Sequence, residues 1–166
     1  MNKKELNNNK IKAKLESLNI PPLALAKYFY GQKVKDIAAI QRLIYLVFLK
    51  ILQEKNVLLF TEEWQAWKGG PVVESAFQPM SESQDYANLF TNVPEIENKE
   101  VLLYLKEIYH SYQNYKKTKD EYKLFEKARN KPWQLARRNL VDEFDYQKIE
   151  LGDILSYIKQ ERDLRL

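Results

Sequence analysis

Residues 58–73, Leu-Leu-Phe-Thr-Glu-Glu-Trp-Gln-Ala-Trp-Lys-Gly-Gly-Pro-Val-Val, constrain the fold more than any other stretch of the chain. They hold Trp64 and Trp67, two of the three tryptophans, and Gly69 and Gly70, two of the four glycines. A tryptophan needs a large niche, and its indole N–H needs a partner when buried. Glycine reaches positive φ without steric cost, and proline sets φ near about −65°. Gly69-Gly70-Pro71 therefore marks a tight corner packed under aromatic rings, with Pro71 placed to open a helix through Phe77.

The rest of the chain reads as helices. Ile37, Ile40, Ile44, Val47, Phe48 and Ile51 recur at three- and four-residue spacing, with Leu43 and Leu52 widening the stripe. Asp36 is an N-cap for this helix, which ends near Asn56 and is the expected core helix. Pro22 starts a short helix over Leu23 to Tyr30, with Gly31 as its C-terminal cap. Asn98 caps a helix carrying Val101, Leu105, Ile108 and Tyr112. Thr118-Lys119-Asp120-Glu121 has the capping-box spacing ahead of Tyr122 and Phe125. Pro132 sits where a helix would open, and Leu151, Ile154, Leu155 and Ile158 mark an amphipathic C-terminal helix. Residues 79–98, with Pro79 and Pro94, read mainly as a surface loop with one helical turn.

Val57 to Phe60 and Glu63 to Trp67 are β-prone pieces separated by a few polar residues. They predict a small β-hairpin near residues 57–68. On a strand, Trp64 and Ala66 share one face and Trp67 takes the other, so either both faces are covered or one tryptophan lies at an interface. The expected fold class is mainly α: a compact helical domain with that one hairpin.

Composition bounds function more by exclusion. The chain has no cysteine, which removes disulfides, thiolate metal sites and cysteine nucleophiles and fits a reducing, cytoplasmic compartment. Met1-Asn2-Lys3-Lys4 is basic, but no apolar core follows it as in a signal peptide. The longest apolar run, Leu43 to Leu49, is too short to span a bilayer. The net charge of +4 is spread among acidic residues, as on an ordinary solvated surface.

No catalytic constellation is visible. His110, the single histidine, lacks a sequence partner and reads as a helix-surface residue. Glu62 and Glu63 are adjacent and do not converge on one strand face; Glu62 reads as a tie from the hairpin to a basic residue or a backbone N–H. Lys127, Arg129, Lys131, Arg137 and Arg138 flank Pro132-Trp133. They read as solvated charges around a buried Trp133, with an arginine over its ring. The competing reading is a phosphate-binding patch with base stacking. Among Tyr104, Tyr109, Tyr112, Tyr115 and Tyr122, periodicity leaves Tyr115 as the exposed one, a candidate contact residue. Gly69-Gly70 lacks the spacing and ending of a phosphate loop. No metal or cofactor is expected.

Three segments carry a resemblance. Leu59, Phe60, Glu62, Ala66, Trp67, Gly70, Pro71 and Val72, with Gly69 beside them, form the first. Ala39-Ile40-Gln41-Arg42-Leu43-Ile44-Tyr45 is the second, and Pro132-Trp133-Gln134-Leu135-Ala136-Arg137 the third. In this order, over roughly residues 24–158, they resemble the Panacea domain of SocA-like antitoxins, a family found also in phage-associated proteins. The chain departs from it where the family carries a Thr-His-x-Glu stretch: Lys127, Ala128, Arg129 and Asn130 stand there. The family's Tyr-Gly is Tyr115-Lys116 here. Residues 1–19 are rich in Lys and Asn and are followed by Pro21-Pro22, which reads as a flexible or partly helical arm; the resemblance implies a divergent member with a single Panacea-like helical domain over 20–166. It also implies a non-enzymatic protein-binding module. Such a module neutralises a cognate toxin by direct binding, or acts as an adaptor presenting it to a protease. Trp64, Trp67 and Tyr115 are the candidate partner contacts. The alternative is a nucleic-acid-binding protein or an enzyme using the Lys127–Arg138 patch.

Overall fold

The computed structural model describes residues 1–161. It is a mainly α domain built around one helix, α3 (Ile37–Lys55). Asp36 caps α3 by accepting from the Ala38 N–H at 3.1 Å, and Asn56 ends it in the left-handed conformation. Every residue from Leu43 to Leu52 is buried. The expected stripe is thus a helix covered on all sides, as an all-round apolar surface requires. Its one lysine in that run, Lys50, is neutralised by Glu107.

The covering elements are α2 (Pro22–Gly31), α4 (Glu74–Glu82), α6 (Lys99–Lys117), α7 (Glu121–Ala128) and α9 (Leu151–Gln160). Asn98 caps α6 through the Glu100 and Val101 N–H groups. The helix expected through Phe77 is α4, which begins at Glu74 and runs on through Pro79 into the loop stretch, and the helical turn of that stretch is α5 (Tyr86–Phe90). Gly31 is the last residue of α2, and Lys33, at φ 70°, makes the left-handed turn instead. The Thr118 capping box does not form. The Thr118 hydroxyl donates to the Tyr115 carbonyl, and α7 starts after Asp120 without a side-chain cap.

The hairpin lies further along than the β-prone pieces indicated. β1 (Gln65–Trp67) pairs antiparallel with β2 (Gly70–Val72), and β3 (Gln147–Lys148) adds to the other side of β1, giving the order β2-β1-β3. Pro71 is therefore a strand residue, opposite Ala66, and opens no helix. It sits on an edge strand, where a missing N–H costs no ladder bond. Residues 57–60 pair elsewhere. The Leu58 N–H donates to Glu16, and its carbonyl accepts from Leu18. The Leu59 carbonyl accepts from Ile20.

The arm over residues 1–19 is thereby tied to the domain. Its helix α1 (Lys3–Lys14) has a complete capping box between Asn2 and Glu5. It docks on α9 through buried Asn8, whose amide donates to Glu150 and accepts from the Gly152 N–H.

Candidate functional site

The corner predicted from Gly69-Gly70 exists, and α3 holds it. Gly70 has φ +147°, and a Cβ there would lie 3.1 Å from Arg42 Nε. Both reasons favour glycine. The Arg42 guanidinium donates to the Gly69 carbonyl twice, from Nε at 3.1 Å and Nη2 at 2.6 Å. It also lies 4.8 Å over the Phe125 ring. Burial first, and then repulsion from Arg129, lowers the Arg42 pKa, while Asp36 opposes this. One residue earlier, buried Gln41 accepts from the Val73 N–H at 2.9 Å, so adjacent α3 side chains pin both ends of β2.

Tyr45, one turn beyond Gln41, is fully buried and donates to Asn130 Oδ1 at 3.3 Å. Burial raises its pKa; the Asn130 bond opposes this, and Tyr157 adds to it. Asn130 is also the N-cap of α8 (Lys131–Arg137), accepting from the Trp133 N–H. Pro132 occupies the first turn of α8, as expected. The Trp133 indole N–H donates to the Trp67 carbonyl at 2.8 Å. Residues of all three resemblance segments thus meet around one corner. Gln41 Nε2, Trp64 Nε1 and Asn130 Nδ2 are buried there without a protein partner, a cost carried by the surrounding packing.

The two tryptophans divide the labour. Trp64 is 2% exposed and packs edge-on to Tyr45 and Phe48. That corrects its reading as a contact residue: it braces the core. Trp67 is half-buried; its indole N–H donates to Gln65, and its ring meets Phe77 and stacks on Tyr146 at 5.3 Å and 22°. Tyr115 is also half-buried against the core, while Tyr122 is 53% exposed, which reverses the expectation from periodicity. Glu62 accepts from the Ser75 hydroxyl rather than from a base or backbone N–H. Glu63 is the ion-pair residue, meeting Lys12 and Lys148.

The basic cluster is not a uniform patch. Arg137 turns inward, lies over the Trp133 ring, and donates to the carbonyls of Ala66, Glu143 and Asp145. This clamps residues 140–146 against β1. A turn closes the loop, with the Asp145 N–H donating to the Asp142 carbonyl and the Phe144 N–H to the Asp142 carboxylate. Lys68 pairs with Glu143 and lies 5.0 Å over the Phe144 ring. Val141, Phe144 and Tyr146 are exposed on this loop at 102%, 77% and 47%. In the sequence, Asp142, Glu143 and Asp145 follow the basic cluster directly. The available signal was two large apolar residues, Val141 and Phe144, set among those acids.

A cavity of about 120 Å³ beside the corner is lined by Gln41, Arg42, Trp67 and Phe77 among others, with no carboxylate or histidine. His110 is exposed on α6. Among the described residues, no group of three or more His, Cys, Asp or Glu side chains is placed to hold a metal. No helix among them is long and apolar enough to cross a membrane. No protein-family model, curated protein or solved structure matches the chain.

Proposed function

We propose that this protein is a protein-binding module of the antitoxin type, which neutralises a cognate toxin by direct binding or by presenting it to a protease. The observation that carries the reading is the convergence of the three Panacea-like segments. Gln41 and Arg42 hold β2, and Trp133 holds β1, by hydrogen bonds that use the side chains the resemblance rests on. The competing reading, a nucleic-acid-binding or catalytic patch over Lys127–Arg138, loses Arg137 to three backbone carbonyls.

Co-expression with the product of the adjacent gene tests the proposal. The expected outcome is a product that arrests growth alone, is tolerated beside this protein, and co-elutes with it on gel filtration. A product equally toxic in both settings, with no complex, removes the antitoxin reading for that pair.

A further inference from the structure

The cavity of about 120 Å³ beside the corner combines spare hydrogen-bond donors with aromatic walls. Gln41, which lines it, is 1% exposed. Its Oε1 must face the Val73 N–H, since an amide NH₂ cannot accept that bond, and its Nε2 is left without a protein partner. A buried donor with no acceptor costs stability, and an acceptor brought to it recovers that cost. Arg42 supplies the second donor. Its Nε and Nη2 both go to the Gly69 carbonyl, and Nη1 has no protein partner among the described residues. The Trp67 N–H is already taken by Gln65. The other walls are flat and apolar: Pro71, and the Trp67 and Phe77 rings with centroids 4.8 Å apart.

Charge and size narrow the ligand. Arg42 is the one charged residue lining the cavity among the described residues. Its hydrogen bonds go to a neutral carbonyl, which leaves the guanidinium charge in place. The charges around it do not cancel it, because repulsion from Arg129 outweighs attraction to Asp36. Glu74, held on Gln65 of β1, is not among the charges that shift Arg42, and Lys68 is paired with Glu143. A ligand here must therefore bring acceptor oxygens, and a negative charge on them is favoured. A cavity of about 150 Å³ lined by apolar side chains holds benzene. The volume beside the corner thus takes one ring and its substituent.

We propose that this cavity binds a small aromatic carboxylate, whose oxygens accept from Gln41 Nε2 and Arg42 Nη1 and whose ring lies against Trp67 and Phe77. Binding there does not depend on a partner protein and goes beyond the antitoxin reading. Gln41 and Arg42 also hold β2, so the ligand stabilises the corner by mass action when it occupies the site.

Sodium benzoate, titrated at fixed pH and ionic strength into the intact, isotopically labelled protein, is the probe. Amide resonances of Gly69, Gly70 and Val73 and the Trp67 indole resonance should shift saturably. Benzamide, a neutral acceptor of the same shape, should bind at least about tenfold more weakly. Benzylamine, a cation at neutral pH, should not bind. Gln41→Glu keeps an acceptor for the Val73 N–H and puts a carboxylate oxygen where the spare donor was. It should weaken benzoate at least about tenfold. Phe77→Ala removes a wall and none of the bonds on β2, and should weaken benzoate and benzamide alike. Circular dichroism establishes that the variants fold as wild type; if Gln41→Glu does not, Phe77→Ala and the benzoate-to-benzamide ratio decide. No saturable shift, shifts centred away from the corner, benzylamine binding as well as benzoate, or undiminished binding to a folded variant overturns the proposal. Benzoate binding is read on this protein alone, so a failed co-expression experiment removes only the antitoxin reading.

Discussion

Gly70 and Tyr45 show how single residues carry this corner. Gly70 combines a φ of +147° with an Arg42 side chain where a Cβ would sit. Gly70→Val should therefore destabilise the fold by about 1–3 kcal/mol, the scale of a strained backbone position, read as a lower urea midpoint. An unchanged midpoint would show that the position is merely permissive. Tyr45 makes a pH prediction. Its buried hydroxyl keeps its proton in the folded state, while in the unfolded chain it titrates near about 10. Above that pH the unfolded chain binds fewer protons than the folded one, so stability falls as pH rises. The contribution is complete below about pH 10 and is lost progressively above it. Urea midpoints from about pH 8 to about pH 11 should decline less steeply in Tyr45→Phe than in wild type. Equal slopes would place the alkaline loss elsewhere, for example on Tyr104 or Tyr157, whose hydroxyls are also raised by burial.

The helices owe their stability to different sources. α3 is held by packing: Phe48 is 2% exposed and meets the rings of Phe60 and Trp64. Phe48→Ala should cost about 3–5 kcal/mol by emptying that site, measured by chemical denaturation. A loss below about 1 kcal/mol would mean the core collapses around the gap. α1 is the opposite case, an Asn- and Lys-rich helix with Asn8 as its one buried residue. Isolated helices of this length are marginal in water. Asn8→Ala should therefore remove amide-exchange protection from α1 while leaving α3 protected. Equal loss in both helices would make α1 part of the central cooperative unit. α1 is the helical outcome of a Lys/Asn-rich composition that allows either a flexible or a partly helical arm. Its order comes from Asn8 on α9 and from backbone pairing of residues 16–20 with 58–59, which composition does not register.

Across the whole molecule, the elements share one core, and Trp64 sits inside it next to α3. Unfolding followed by tryptophan fluorescence and by far-ultraviolet circular dichroism should give coincident midpoints. Separated midpoints would reveal a part that folds independently. The helical periods, the Asp36 and Asn98 caps and the glycine corner were legible in the chain, because each depends on neighbours within a turn or two. The position of the hairpin was not. Residues 57–60 and 65–67 have similar β propensity, and only the distant segment 16–20 takes residues 58–59 away and leaves 65–67 to form the hairpin with 70–72. The sorting of tryptophans also lay outside local pattern, since strand alternation separates Trp64 from Trp67 without saying which face is covered. α3, Tyr45 and Phe48 bury the first; Phe77 and Tyr146 half-cover the second. The amino-acid sequence by itself determined a mainly helical chain with a glycine-made corner, through short-range sterics and apolar spacing. Tertiary structure alone decided that the Arg137 guanidinium would donate to three backbone carbonyls, two of them on either side of exposed Phe144. Hydrogen bonds between distant segments follow from how the elements stack, and no local spacing encodes them.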